Sequence, residues 1–170
     1  MKCLSFTQPW LGAILHWQKR IENRQRWQGC SYRGPILLHA AKGIGSIDEF
    51  DDIIISLLHD MGVPIEYVQA ELATFGPRRG HSVDVWSPHP KLARGGIVGR
   101  ARIVGTVRSE RDVAAYEANV KGAADQRKWW QGGFALVLED VEPMPFVPWS
   151  GALGLFEVDE QKLPEGYRAA

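Results

Sequence analysis

The stretch from Ser5 to Lys42 constrains this chain most. It reads Ser-Phe-Thr-Gln-Pro-Trp, continues through an apolar run to Lys19-Arg20-Ile21-Glu22-Asn23-Arg24-Gln25-Arg26-Trp27, and closes with Gly34–Ala41 and Lys42. Lys2–Phe6 reads as a short strand, and Pro9 suits a first helical turn, where its missing N–H costs nothing. Trp10, Ala13, Ile14 and Trp17 recur at helical spacing, so a helix with one apolar stripe is expected over Gln8–Trp17. Arg20–Arg24 then alternates as a strand, and Gly34–Ala41 is a continuous apolar one. Core packing alone does not call for Lys19, Glu22, Arg24 and Arg26 beside Trp10, Trp17 and Trp27. Cations, one carboxylate and flat rings together suit an anionic, aromatic ligand.

The rest of the chain alternates helix and strand. Ser46 with Glu49 is a capping-box signal for a helix carrying Phe50, Ile53, Ile54, Leu57 and Leu58; a second follows over Ile65–Ala73. Phe75–Gly95, rich in Gly, Pro, Arg and His, reads as a long loop. Gly96–Arg108 is a long strand bent at its glycines, a polar helix follows near Asp112–Val120, and Phe134–Val141 and Gly151–Val158 complete the strands. Five or six short strands with helices between them favour a small barrel over a doubly wound parallel sheet. The expectation is one α+β domain over 1–170 with a helical and loop insertion at about 43–94.

Composition narrows the partners. Lys/Arg and Asp/Glu each number 20, but they are segregated. Residues 19–42 hold six Lys/Arg against Glu22 alone, and residues 43–75 hold seven acids and no Lys/Arg. Residues 76–112 return eight Lys/Arg, and residues 129–170 carry seven acids against two bases. Such blocks build a basic and an acidic face, or interleave in space and cancel. No apolar run approaches the roughly eighteen residues of a membrane span. The N-terminus is unlike a secretory signal, and Cys3 and Cys30 lack metal-type spacing, so a cytoplasmic protein with reduced thiols is expected. His81 and His89 have no ligand spacing with Cys or acids, so no metal is expected, nor any cofactor.

The order Gln8-Pro9-Trp10, apolar helix, Lys19-Arg20-Ile21-Glu22-x-Arg24, Trp27, Arg33-Gly34 and Ala40-Ala41-Lys42 resembles the ASCH domain, the activating-signal-cointegrator homology domain. Gly96-Ile97-Val98-Gly99, Phe134, Pro148-x-x-Gly151 and Leu155-Phe156-Glu157-Val158 are similar to its downstream half. The resemblance covers residues 2–42 and 95–158 and leaves the insertion aside. It implies a PUA-like small mixed β-barrel with flanking helices, and a groove lined by the Lys-x-x-Glu segment. Members of that family bind nucleic acid, or resemble acetylcytidine amidohydrolases, or have a ribonuclease activity ascribed to them. Here Trp17 stands where a glycine usually precedes the lysine by two residues, and Glu22 stands where the amidohydrolase-like branch has a threonine.

The leading expectation is therefore a domain that holds RNA or DNA, or a nucleotide within it, in a basic groove. Lys19 would contact a phosphate or base carbonyl, Glu22 a base amino group, and Arg24, Arg26 and Lys42 phosphates. Trp17 would form a groove wall, and Arg78 and Arg79 would belong to a basic lid. Trp10 and Trp27 are assigned to packing first, and His39 to the core. The alternative is a hydrolase, acylcytidine amidohydrolase-like or ribonuclease, with Lys19 and Glu22 as an acid–base pair acting on a nucleoside or nucleic acid. The third is a protein-interaction module using the acidic insertion.

Overall fold

The computed structural model describes residues 1–24, 31–44, 93–120 and 125–167. Among these residues six strands form one curled mixed sheet, a half-barrel accompanied by two helices. In chain order they are β1 (Lys2–Gln8), β2 (Ile21–Asn23), β3 (Gly34–Ile44), β4 (Gly96–Val107), β5 (Ala135–Pro148) and β6 (Leu155–Glu157). The helices are α1 (Trp10–His16) and α2 (Glu110–Asn119). The strands lie in the order β2-β5-β4-β3-β1-β6. Among the described residues, β1 and β3 run parallel, with Leu4 opposite Leu38 and Ser5 opposite His39, while β1–β6, β2–β5, β3–β4 and β4–β5 are antiparallel. This half-barrel of six strands is consistent with the small α+β barrel expected.

Alternation along β1 sorts its side chains between two apolar clusters. Leu4 and Phe6 join Leu11 and Ile14 of α1, Ile36, Leu38 and Ala40 of β3, and Leu136 and Leu138 of β5. Cys3 faces the other way, with Leu37, Ile97, Val158, Leu163 and Tyr167. A third cluster joins Ile21, Val107, Val113, Ala135 and Val137 at the β2 end of the sheet.

Several boundaries differ from the sequence expectation. The first helix is shorter, Trp10–His16, because Gln8 remains in β1 and Pro9 is its N-cap. The Gln8 side chain still serves the helix, since its carbonyl accepts from Gly12 N–H at 3.0 Å. The strand expected over Phe134–Val141 continues to Pro148. Proline removes a ladder donor, yet Pro143 and Pro148 lie opposite Gly99 and Gly96 of β4 in a ladder with three register shifts, and Pro145 falls within one of those shifts. Gly96 and Gly99 permit that course. A Cβ at Gly99 would lie 2.8 Å from the Glu142 carbonyl oxygen and 2.7 Å from Leu15 Cδ2. The last strand shrinks to Leu155–Glu157, preceded by Gly154 at φ +70°. The polar helix begins earlier than expected, at Glu110, under a complete capping box between Ser109 and Asp112.

On the outer face of β4 and β5 the basic and acidic blocks interleave. Arg100 meets Glu142 at 2.7 Å and Arg102 meets Asp140 at 3.3 Å. Both pairs are exposed, so they contribute little to stability, but they balance the charge there. The helices expected over residues 46–73 and the loop to residue 92 lie outside the described residues.

Candidate functional site

The Lys19 segment is built by the way α1 ends. The Ala13 carbonyl accepts from both Trp17 N–H, at 3.0 Å, and Lys19 N–H, at 3.2 Å. Between them Gln18 adopts φ +58°. The left-handed residue that ends the helix is therefore Gln18, and Trp17, at φ −125°, escapes the strain its position suggested. Gln126 fixes the geometry from outside. Its side-chain oxygen accepts from Arg20 N–H at 2.7 Å and its amide donates to the Gln18 carbonyl at 2.9 Å. Lys19 is thus bracketed by two immobilised peptide groups.

Lys19 is 1% exposed. Its ammonium donates to the Ile21 carbonyl at 2.5 Å and to Glu22 Oε2 at 2.7 Å, with the Trp10 ring centroid 5.7 Å away. Burial lowers the Lys19 pKa from its ordinary value. The Glu22 carboxylate opposes that shift, and the nearby Arg24 charge adds to it. The other Glu22 oxygen lies 3.4 Å from Arg24 Nη2. Arg24 donates from Nη2 to the Ser5 carbonyl at 2.9 Å, and its guanidinium stacks 4.8 Å from the Phe6 ring centroid. One carboxylate therefore joins two cations, each held against an aromatic ring, and the cluster keeps one net positive charge.

The expected residues divide clearly. Lys19, Glu22 and Arg24 come together. Trp17 is half-buried and packs edge-on against His16, with centroids 5.7 Å apart. Lys42 is exposed on β3, where its carbonyl accepts from Arg94 at 3.0 Å. Among the described residues, no hydrogen bond or ion pair joins its side chain to the cluster. Arg26, Arg78 and Arg79 lie outside the described residues, as does Trp27. Sequence reasoning missed Gln126, which lies 106 positions after Arg20; a single buried glutamine carries no periodic signal. It also missed Asn23. That side chain donates to the Trp129 carbonyl at 2.7 Å and accepts from Gln131 N–H at 3.0 Å, tying β2 to the Arg127–Trp129 turn.

Among the described residues, no group of three or more His, Cys, Asp or Glu is gathered to hold a metal ion, and no helix is long and apolar enough to cross a membrane. No protein-family model matches the chain, and no curated protein matches it.

Proposed function

We propose that this chain is an ASCH-type domain of PUA-like fold that binds nucleic acid, or a nucleotide within it, at the Lys19–Glu22–Arg24 cluster. The observation that carries the reading is the joined pair of cations on one carboxylate, each against a flat ring. Because Lys19 is buried and its ammonium already has two acceptors, its part is to hold Glu22 in place. Arg24, whose side chain is 22% exposed, takes the contact with a phosphate or base. A cytoplasmic location belongs to the same reading, and the buried free thiol of Cys3 accords with it.

Titration of labelled single- and double-stranded RNA and DNA at two salt concentrations tests this. Phosphate contacts require affinity that falls as salt rises. Arg24→Ala should weaken binding by about 1.5–3 kcal/mol, the worth of a hydrogen bond to a charged partner. Absence of binding to all four nucleic acids overturns the proposal.

The second reading, hydrolysis of an acylated cytidine, is favoured by one observation. A lysine whose pKa is lowered by burial and which touches a carboxylate has the makings of an acid–base pair. Turnover of acylcytidine by the intact chain, abolished in Lys19→Met, would establish it in place of the first.

A further inference from the structure

On the other face of β1 lies a polar group that neither reading uses. Ser5 and His39 are register neighbours on the parallel strands β1 and β3, and Ser5 Oγ is 3.1 Å from His39 Nδ1. His39 Nε2 lies 3.0 Å from the Trp149 carbonyl oxygen. A carbonyl only accepts, so Nε2 carries the proton of the neutral ring and Nδ1 presents its lone pair to Ser5. The His39 ring is 2% exposed, packed edge-on against Phe156 at 6.1 Å.

The Ser5 hydroxyl proton has two acceptors, Nδ1 and the Ala152 carbonyl at 3.2 Å, and the second of these bonds is open to solvent. Gly151 lies directly over the pair. A Cβ there would stand 2.8 Å from Nδ1 and 2.9 Å from Oγ, so only glycine lets the Trp149–Ala152 connection close on it.

We propose that Ser5 and His39 form a nucleophile–base pair for acyl transfer from small esters, oriented by the Trp149 carbonyl and covered by the Gly151–Ala152 segment. A hydroxyl within reach of a base that a third group orients is the arrangement such chemistry needs. An ester carbonyl that displaces the Ala152 carbonyl leaves Nδ1 as the remaining acceptor of the hydroxyl proton. Oγ then bonds to the acyl carbon as the ester C–O bond breaks. The proton passes to Nδ1 and on to the leaving alkoxide. Water, deprotonated by the same nitrogen, next cleaves the acyl-serine, releasing the acid and restoring the hydroxyl. Burial lowers the His39 pKa below its ordinary 6.5, against the raising effect of its bond to Trp149, so the base is unprotonated at neutral pH. The groups facing it are Ser5 from β1, Phe156 from β6, and Trp149 and Gly151 from the connection, all uncharged. Arg24, which holds the Ser5 carbonyl, is the charged residue joined to this chain of bonds.

The test uses the full chain and p-nitrophenyl acetate, and does not depend on the nucleic-acid reading. The expected result is p-nitrophenol release above background, an acetyl group mapped to Ser5 by peptide mass spectrometry, and loss of both in Ser5→Ala. His39→Gln should slow acetylation about a hundredfold, the lower end for a general base. Should His39→Gln fail to fold, the wild-type pH profile replaces it, and the rate should fall with acid only below the ordinary imidazole range. Overturning results are no acetyl group at Ser5, an unchanged rate in a folded His39→Gln variant, or a rate that climbs throughout the alkaline range as for an unassisted hydroxyl.

Discussion

Glu22 is the carboxylate of the buried Lys19, 2.7 Å from its ammonium, and the two residues sit either side of the turn from helix exit into strand β2. Both are buried, so each requires the other. Removing one partner of a buried pair leaves an uncompensated charge, which costs about 3–5 kcal/mol, while replacing both by apolar groups is often neutral. Lys19→Met should therefore cost about 3 kcal/mol, the lower end because Arg24 still faces Glu22. The double variant Lys19→Met/Glu22→Leu should recover part of that loss. Urea unfolding of the three proteins checks this, and a double variant less stable than Lys19→Met would contradict it.

Gln126 is the second support of the same turn. Gln126→Ala leaves the Gln18 carbonyl and the Arg20 N–H without these part-buried bonds, at about 0.5–1.5 kcal/mol for each hydrogen bond lost. The expected outcome is a clear fall in thermal midpoint, together with faster amide exchange at Arg20.

Gly99 and Gly43 make a matched pair on the sheet. Gly99→Ala drives its methyl against the Glu142 carbonyl, which is backbone and yields only if β5 moves, whereas Gly43→Ala meets nothing within 4 Å. Overpacking of this kind costs about 1–3 kcal/mol. Chemical denaturation should show that loss for Gly99→Ala and a change within about 0.5 kcal/mol for Gly43→Ala.

Alkaline pH should unfold the protein through three weak acids, the buried Cys3 and Tyr167 and the half-buried Tyr116. Burial pushes the Cys3 thiol up to about 12 from an ordinary 9.0, and the Tyr116 and Tyr167 phenols up to about 12 from 10.0. Each folded pKa lies above its unfolded value, so the folded state holds protons that the unfolded chain has released. The stabilisation is complete below pH 9 and is lost as pH rises through 12. In Cys3→Ala the decline between pH 9 and 10 should flatten, whatever the offset in stability. Thermal midpoints measured across pH 8–11 read this slope directly.

Much of the sheet was legible because its strands are apolar or alternate, as in Gly34–Ile44 and Gly96–Val107, and both patterns survive without knowledge of the partner strand. Pro143, Pro145 and Pro148 hid the second half of β5, since prolines are compatible with a strand only where bulges and a bare glycine partner relieve the ladder. At the site, Lys19, Glu22 and Arg24 were recognisable from their spacing. The burial of the lysine was not, because it follows from Gln126 and Trp10 closing around it. Nor did anything local to Trp17 show that Gln18 would take the left-handed conformation.

The pairing of Ile21 with Val137 carries a consequence for assembly. Strand β2 bears Glu22 but is three residues long, and it is hydrogen-bonded to β5, a strand made only after most of the chain. On a ribosome the lysine and its carboxylate emerge early, with nothing to pair β2. Contacts so distant in sequence form slowly, after the closure of long loops. The cluster is thus a late product of folding, and a nascent chain lacking residues 135–138 exposes its charged turn to water.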